Sequence, residues 1–456
     1  MKNEYPKTDS GNALLFADMF HEKIRFDLTS GKWVAWDGKR WNREKGENKA
    51  QCYSRGVGVY WYQLLGDCED KKKREKIFRH WQYTCSATGI RNLLFLAKSE
   101  PNIAVSHEEW DKHPYYFNVL DGTIDLRTGD IKEHDPKDLL TQLAPVVYDK
   151  DIECPNKDRW DDCMRTWHPD GKTDGTWDYL QQLMGYCLTG DTTSRCFPIF
   201  WGSGKNGKNV FLDTFLLMMG DYATVAPRTL IEASGREEHP AEIADLWGKR
   251  LVLASEPKKG TKLKTSLVKA MTGDSRMKAR FMRQDFFEFT PTHKVIMLTQ
   301  NLPQIDETTD AIWDRIHKLR WGVRIDREKQ DPKLTEKLRK DWTGILRWAV
   351  EGGLKWQKRG ILLPTAKIER EVGDYRDAQN PAKNFIESNY IFGKRLFIAS
   401  ADMRNDLSEW NRFSDLELLS IGEVHSYIKE KDCFAEIRKF HGSPIRGWSG
   451  IGKRGE

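Results

Sequence analysis

A glycine-rich loop ending in lysine lies between an apolar strand-like run and an apolar helix-like run, and this arrangement constrains the fold most strongly. The strand candidate is Phe197–Trp201, and the helix candidate covers residues 210–219. Glycines let a backbone wrap phosphate groups, amide N–H groups at a helix N-terminus face the anion, and a lysine reaches the β/γ oxygens. The sequence therefore predicts a phosphate loop (P-loop), although a chance glycine-rich turn or a degenerate nucleotide pocket would share the pattern. The predicted nucleotide-binding residues are Gly202, Ser203, Gly204, Lys205, Asn206, Gly207, Lys208 and Asn209.

Two polar residues that follow other apolar runs can complete a nucleotide site. Glu256 follows the run at 250–255, and Asn301 comes shortly after the run at 295–299. A carboxylate in this position holds the Mg²⁺ shell or polarises the attacking water, and an amide can orient that water. Asn209 stands where a P-loop usually has Ser or Thr, and its amide oxygen can still meet a hard cation. We therefore expect ATP and Mg²⁺ as cofactors, with Asn209 and Glu256 as metal ligands.

Short apolar runs that alternate with helix-like and polar segments predict an α/β fold with a largely parallel sheet. The strand candidates are residues 197–201, 250–255, 294–299 and 316–321, and a long helical stretch covers 334–356. A hairpin around Asp121-Gly122 and several helix-like segments precede them and predict a mixed α+β domain. Three domains follow from this pattern: an N-terminal α+β lead-in over 1–174, a P-loop ATPase core over 175–365, and a small C-terminal domain over 366–456.

Composition excludes several classes of protein. The charged fraction of 31%, a mean hydropathy of −0.70 and the absence of a long apolar run argue against an integral membrane protein. The 18 Trp, 14 Tyr and 20 Phe are too much aromatic surface for a disordered chain. The eight cysteines form no CxxC pair, so we expect free thiols in a reducing cytoplasm rather than a zinc module.

The charge balance permits nucleic acid as a partner without requiring it. The chain carries 74 Lys and Arg against 68 Asp and Glu, a net charge of +6. The basic run Lys71-Lys72-Lys73-Arg74 lies in a helix-like region. A solvated helix face is the usual explanation of such a run, and a DNA contact is the alternative.

The ordered motifs resemble those of the superfamily 3 helicases, in particular the phage, plasmid and poxvirus primase–helicase branch. The resemblance runs from residue 12 to the end of the chain and is strongest over 183–321. Within it, Glu256 matches the Walker B acid, Asn301-Leu302-Pro303 the sensor motif, and Arg315 the arginine finger. The other matching segments are 117–130 and 183–190 in the lead-in region, and 269–274 with 279–281 between Walker B and the sensor.

This resemblance implies an AAA+-like core in a homo-hexameric ring, with ATP bound between neighbouring subunits. Lys208, Glu256 and Asn301 would act within one subunit, and Arg315 would reach the ATP of the next. A hairpin before the sensor strand would grip single-stranded DNA, and the C-terminal domain would be winged-helix-like. The hairpin residues expected to bind DNA are Lys278, Arg280, Phe281 and Arg283, with Lys278 and Arg283 on phosphates. A packing role is the more common alternative for Phe281, and a role at the interface or nucleotide is the alternative for Arg280.

The expected function is ATP-dependent unwinding of duplex DNA during replication of a phage or mobile element. Single-stranded and forked DNA, and a separate primase or polymerase, are the expected partners, in the host cytoplasm and without a membrane. Larger family members carry an N-terminal primase–polymerase domain, so we expect either a stand-alone helicase or the helicase portion of a longer product. The alternative is a replication initiator or scaffold that binds nucleotide and DNA without unwinding, and Asn209 is the feature that favours it.

Overall fold

The structure is a computed structural model of the 456-residue chain. It describes residues 5–151, 157–233, 240–255, 260–273, 275–282, 285–307, 309–413, 418–440 and 443–455. The chain divides into two compact units, Met1–Pro303 with Thr309–Ile368, and Gln304–Thr308 with Glu369–Glu456. Residues 1–174 and 175–365 lie almost entirely in the first unit, so the predicted domain boundary between them stays a prediction.

The first unit begins with helices that pack around a small mixed sheet of order β3-β2-β1-β4. Helix α3 begins after Asp70, whose side chain accepts the backbone N–H groups of Lys72 and Lys73. Buried apolar side chains such as Phe16, Trp33 and Trp61 form the core between these helices and the sheet. The elements are α1 Asp9–Phe20, β1 Ile24–Asp27, β2 Lys32–Trp36, β3 Trp41–Asn42, α2 Gly46–Gly66, α3 Lys71–Thr84, α4 Ala87–Ala97 and β4 Ala104–Val105.

A three-stranded antiparallel meander and two helices lead into the main sheet. The predicted hairpin around Asp121-Gly122 is confirmed, because Asn118 pairs with Thr123 and Val119 with Gly122. The elements are β5 Tyr116–Val119, β6 Gly122–Asp125, β7 Asp130–Lys132, α5 Lys157–Trp167 and α6 Thr176–Leu188.

The main sheet has five parallel strands in the order β14-β8-β13-β10-β9. All four predicted strands are confirmed, with β8 and β13 at the predicted bounds. The sequence does not predict β9, since this edge strand carries small, partly exposed side chains. The elements are β8 Phe197–Trp201, α7 Lys208–Met219, β9 Ala223–Ala226, α8 Pro240–Ala244, β10 Leu251–Ala254, α9 Thr265–Gly273, β11 Met277–Ala279, β12 Phe287–Phe289, β13 Lys294–Thr299, α10 Asp310–Trp313 and β14 Ile316–Arg320.

The single helical stretch predicted over 334–356 is wrong in one respect, because the structure has two helices there. They are α11 Leu334–Arg339 and α12 Trp342–Arg359. The break falls at Lys340 and Asp341, and the buried Asp341 carboxylate pairs with Arg159 of α5 at 2.5 Å. An ion pair to another helix is a tertiary contact, so the helical periodicity of the sequence does not predict it.

Two buried cations hold the edge of the sheet at which the parallel strands begin. Arg250, just before β10, donates to the carbonyls of Leu188 at the end of α6 and Tyr116 at the start of β5, both at 2.6 Å. Lys294, the first residue of β13, donates to the carbonyl of Thr189. Burial lowers the pKa of Lys294 to about 7. Both cations thus satisfy carbonyls where α6 ends, as the helix dipole favours.

The second unit contains a three-stranded antiparallel sheet of order β15-β17-β16 with helices packed against it. Its elements run in the order two helices, a strand, two helices and two strands, and the winged-helix-like domain stays a prediction. No helix in the described parts of the chain is both long and apolar enough to cross a membrane. The elements from residue 366 are α13 Ala366–Ala378, α14 Pro381–Asn389, β15 Tyr390–Ala399, α15 Ser400–Phe413, α16 Ile421–Glu430, β16 Phe434–Phe440 and β17 Ser443–Lys453.

Candidate nucleotide and nucleic-acid site

The loop at 202–209 leaves the inner strand β8 at the edge where the parallel strands end. The Gly202 N–H donates to the carbonyl of Thr299, the last residue of β13, at 3.2 Å. On the other side, the N–H of Trp321, just after β14, donates to the carbonyl of Trp201 at 2.7 Å. Both neighbouring strands therefore reach the start of the loop, and ligands of open parallel sheets bind at this edge.

One buried amide side chain fixes the shape of the loop. Asn206 is 2% exposed, and its Nδ2 group donates to the carbonyls of Ser203 at 2.5 Å and Trp321 at 2.9 Å. A Cβ atom at Gly202 would lie 2.2 Å from the Trp321 oxygen, so only glycine fits there. Contacts within the protein thus hold the loop in its curved form.

The loop ends where α7 begins, and two residues at this junction are closely constrained. Gly207 has a φ of +85°, and a Cβ there would lie 1.9 Å from Nε1 of Trp167. Lys208 is only 5% exposed, and its ammonium group donates to the carbonyl of Gly202 at 2.8 Å. The lysine therefore lies against the loop and not in open solvent.

The residues present fit a polyphosphate group. Ser203, Gly204 and Lys205 are exposed, and a Cβ at Gly204 would meet nothing within 4 Å. The loop opens the 12-residue helix α7, whose first N–H groups and positive dipole end favour an anion. A cation, open backbone and a helix N-terminus are the donor set that phosphates require.

Of the two predicted Mg²⁺ ligands, only Asn209 lies among the described residues. Asn209 is exposed in the first turn of α7, next to the loop. Glu256 lies outside the described residues, two positions after the end of β10. Among the described residues no group of three or more His, Cys, Asp or Glu could hold a metal. Mg²⁺ in phosphate sites needs only one or two protein ligands beside phosphates and water, so the Asn209 amide oxygen fits.

Asn301 lies at the same edge as the loop. It follows β13 by two residues, and its N–H donates to Thr299 Oγ1 at 3.0 Å, while the Thr299 hydroxyl donates to the Asn301 carbonyl. The Trp201 indole N–H donates to the carbonyl of Gln300 at 3.0 Å. The backbone around Asn301 is therefore fixed directly beside the start of the loop, and its side chain is exposed.

Arg315 lies at the opposite edge of the sheet. Its carbonyl accepts the N–H of Phe197, the first residue of β8, whereas the loop follows the last residue of that strand. The guanidinium donates to Thr272 Oγ1 at 3.1 Å and to the carbonyl of Ala311. A full strand length thus separates Arg315 from the loop of its own subunit.

The predicted DNA-binding hairpin exists as the antiparallel pair β11–β12. Lys278 and Arg280 are exposed on it, and their roles in DNA binding stay predictions. Phe281 instead stacks on Phe287 at 5.1 Å and contacts Trp247 at 6.1 Å, so its ring packs inside an aromatic cluster. Arg283 lies outside the described residues.

The sequence reasoning misses Phe286, which is the exposed aromatic residue of this hairpin. Its ring is 50% exposed, with the Lys278 ammonium 5.1 Å and the Arg280 guanidinium 4.9 Å from its centroid. The signal is the period of two in a strand: Phe287 and Phe289 face the core, so a neighbour such as Phe286 points outward. Cations that flank an exposed ring suit a single strand, since phosphates and bases are bound together.

Two stretches of the chain match known protein families. Residues 13–166 match a family described as D5 N terminal like, and residues 200–315 match a family of unknown function, DUF5906. Curated viral proteins with the name "Putative helicase" are similar in sequence. They are L207/L206 of Acanthamoeba polyphaga mimivirus (24% identical over 66% of this chain and 33% of that protein), 121R of Invertebrate iridescent virus 3 (21% over 50% and 25%) and 022R of Frog virus 3, isolate Goorha (31% over 26% and 13%).

These matches support a relationship of the chain to the D5-like primase–helicase family. The chain spans at most about a third of the length of the curated relatives that it matches. A solved structure, the apo form of the NrS-1 C terminal region, has the same fold with a TM-score of 0.51, at 11% identity over 97% of this chain and 99% of that one.

The hydrogen bonds of the Asn206 side chain predict that Asn206→Asp weakens nucleotide binding. A carboxylate cannot donate to the carbonyls of Ser203 and Trp321, and its charge opposes phosphate. We expect affinity for a fluorescent adenine nucleotide to fall about tenfold or more, a cost of about 1.4 kcal/mol. Asn48→Asp, the same change at an exposed residue of α2, is the control, and equal affinity of the two variants would contradict the assigned role.

Proposed function

We propose that the chain is an ATP-dependent DNA helicase of superfamily 3, with an AAA+-like core, that unwinds DNA during replication of a phage or mobile element. The observation that carries the proposal is the position of β13. The hairpin strand β12 ends at Phe289, only a short connection before β13 begins at Lys294, and β13 ends beside the 202–209 loop. One rigid strand therefore joins the DNA-contacting hairpin to the nucleotide site.

The proposed chemistry divides among the residues at the loop edge. Backbone N–H groups of the P-loop and the Lys208 ammonium bind the phosphates, and the bound Mg²⁺ neutralises charge on them. Asn209 and Glu256 are the proposed metal ligands, and Glu256 also polarises the attacking water. The Asn301 amide orients that water. Because Asn301 follows β13, a change at the phosphate groups can be transmitted along β13 to the β11–β12 hairpin.

Arg315 is the proposed arginine finger and acts on the neighbouring subunit. Within its own subunit it lies at the other edge of the sheet, so it can serve a nucleotide only across an interface. This supports a closed ring, for which we propose six copies, with ATP between neighbours. A cation at the transferring phosphoryl group contributes strongly to the rate in such sites.

The proposed partners are single-stranded and forked DNA, and a separate primase or polymerase in the host cytoplasm. The three-stranded sheet and helices of the second unit support a winged-helix-like domain, which could contact duplex DNA. The alternative function is a nucleotide-regulated initiator or scaffold without unwinding. Asn209 favours this alternative, because it replaces the Ser or Thr whose hydroxyl usually binds Mg²⁺ in a P-loop.

The first experiment compares ATP hydrolysis by the wild type and Lys208→Ala, with and without single-stranded DNA, and then strand separation of a forked duplex. We expect DNA-stimulated hydrolysis and unwinding in the wild type and neither in the variant, because the phosphates lose their cation. Lys137→Ala, at an exposed site, should behave as wild type. Nucleotide binding without hydrolysis in the wild type would favour the initiator.

A second experiment mixes Arg315→Ala subunits with Lys208→Ala subunits. Each variant alone should hydrolyse no ATP, because every interface lacks one required cation. Mixed rings contain some interfaces with both Lys208 and Arg315, so we expect hydrolysis to recover partly on mixing. The absence of any recovery, in rings that assemble normally, would contradict a finger that acts between subunits.

A third experiment separates the two aromatic residues of the hairpin. Phe286→Ala should weaken single-stranded DNA binding about 5- to 100-fold, as expected for one lost stacking contact, with an unchanged thermal midpoint. Phe281→Ala should instead lower the free energy of unfolding by about 2 kcal/mol, since it removes a packed ring. Fluorescence anisotropy and thermal unfolding measure the two effects, and the reverse pattern would restore Phe281 as the stacking residue.

A further inference from the structure

An exposed aromatic cluster lies on the helical hairpin α2–α3, outside the predicted site. It consists of Tyr62, Phe78 and Trp81. The Tyr62 ring centroid is 5.5 Å and that of Phe78 is 5.6 Å from the Trp81 ring. Tyr62 is 61% and Phe78 43% exposed, and Trp81 is partly exposed. Three touching rings open to solvent are costly unless something covers them.

Helix α3 is strongly cationic around this cluster. It carries six Lys or Arg residues against one acid, Glu75, which pairs with Arg79 at 2.5 Å. No carboxylate of the described residues forms an ion pair with the other five. These five side chains, all exposed, are Lys71, Lys72, Lys73, Arg74 and Lys76.

Cations and rings share one face of α3. Lys71, Arg74, Phe78 and Trp81 are spaced by three, four and three residues, which places them in one stripe along the helix. The stripe is about 15 Å long at 1.5 Å per residue. Tyr62 of α2 adds a third ring beside it. We call these five residues the aromatic–basic face.

Of this face only Trp81 also packs against the hydrophobic core, whereas Tyr62 and Phe78 stay exposed. The buried residues of α3 are Ile77, His80 and Thr84. The His80 ring lies 3.0 Å from the Asn12 side-chain oxygen, and the Asn12 amide donates to Thr84 Oγ1 at 2.9 Å. These contacts hold α3 against α1 through side chains outside the stripe. Solvation would explain the cations, but it does not explain the exposed rings between them.

We propose that the aromatic–basic face binds single-stranded nucleic acid, with phosphates on Lys71 and Arg74 and bases against the rings of Tyr62, Phe78 and Trp81. Positive side chains interleaved with aromatic rings are what a single strand requires, whatever its sequence. The net charge of the helix selects a polyanion over an apolar protein partner. The proposal extends the proposed function by a strand contact that depends on neither ATP hydrolysis nor the β11–β12 hairpin.

The test measures the affinity of the full chain, without nucleotide, for a fluorescein-labelled oligothymidine of about 20 nucleotides. The background variant carries Lys278→Ala, Arg280→Ala and Phe286→Ala in the β11–β12 hairpin. We expect this variant to keep measurable affinity. Adding Tyr62→Ala with Trp81→Ala should weaken binding about tenfold or more. Adding Lys71→Gln with Arg74→Gln should lower the slope of log affinity against log salt by about 1.4, or 0.7 per lost phosphate contact.

Controls separate a local loss of binding from misfolding. Phe95→Ala removes a 71%-exposed ring of α4, and Lys137→Gln removes an exposed cation; neither should change affinity or salt slope. Tyr62→Ala alone removes the most exposed ring, so it tests the face even if Trp81→Ala unfolds the domain. Unchanged affinity and salt slope in all face variants would overturn the proposal. It would also be overturned if the face variants lost a protein partner but still bound DNA as the parent does. ATP hydrolysis, measured in parallel, shows separately whether the ATPase proposal holds.

Discussion

Two buried cations at the beginning of the parallel strands fix the strands whose other ends form the candidate nucleotide site. Arg250 and Lys294 each precede or open a strand of the sheet and bind carbonyls where α6 ends. Arg250 also binds Tyr116, so the lead-in meander is tied to the same edge. Because a strand is rigid along its length, fixing the starts of β10 and β13 also fixes the positions of their last residues, Ala254 and Thr299. The cost of burying these charges, visible in the lowered pKa of Lys294, is offset by carbonyls that would otherwise lack donors.

The features that the sequence predicts well are those that local physics determines. The 202–209 loop must turn sharply, so glycines mark it. The inner strands β8, β10 and β13 are largely buried, so mainly apolar runs mark them. Tertiary contacts decide the rest. Asn206 reads as one more polar loop residue, and only Trp321, 115 residues later, reveals it as the support of the loop. The break between α11 and α12 likewise depends on Arg159.

The aromatic residues of the hairpin explain why site prediction is harder than fold prediction. A pattern of Lys, Arg and Phe near position 280 predicts a nucleic-acid contact but not which aromatic ring is exposed. Phe281 is drawn inward by Trp247 and Phe287, partners on other segments. Phe286 lies outward because its neighbours Phe287 and Phe289 occupy the inner face of β12. Composition therefore gives the chemistry of the surface, whereas strand register decides which side chain supplies it.

The same distinction applies to the charged run of α3. From the sequence alone, four consecutive cations are best explained as a solvated helix face. The structure adds that Phe78 and Trp81 continue the stripe of Lys71 and Arg74, and that α2 brings Tyr62 beside it. A nucleic-acid strand bound at this face and at the β11–β12 hairpin would contact the chain at two places. Only the β11–β12 hairpin connects directly to β13. Under the proposed function, holding and moving the nucleic acid would belong to different elements. The α2–α3 hairpin would hold it throughout the ATP cycle, and β13 would move the contact made by the β11–β12 hairpin with each hydrolysis.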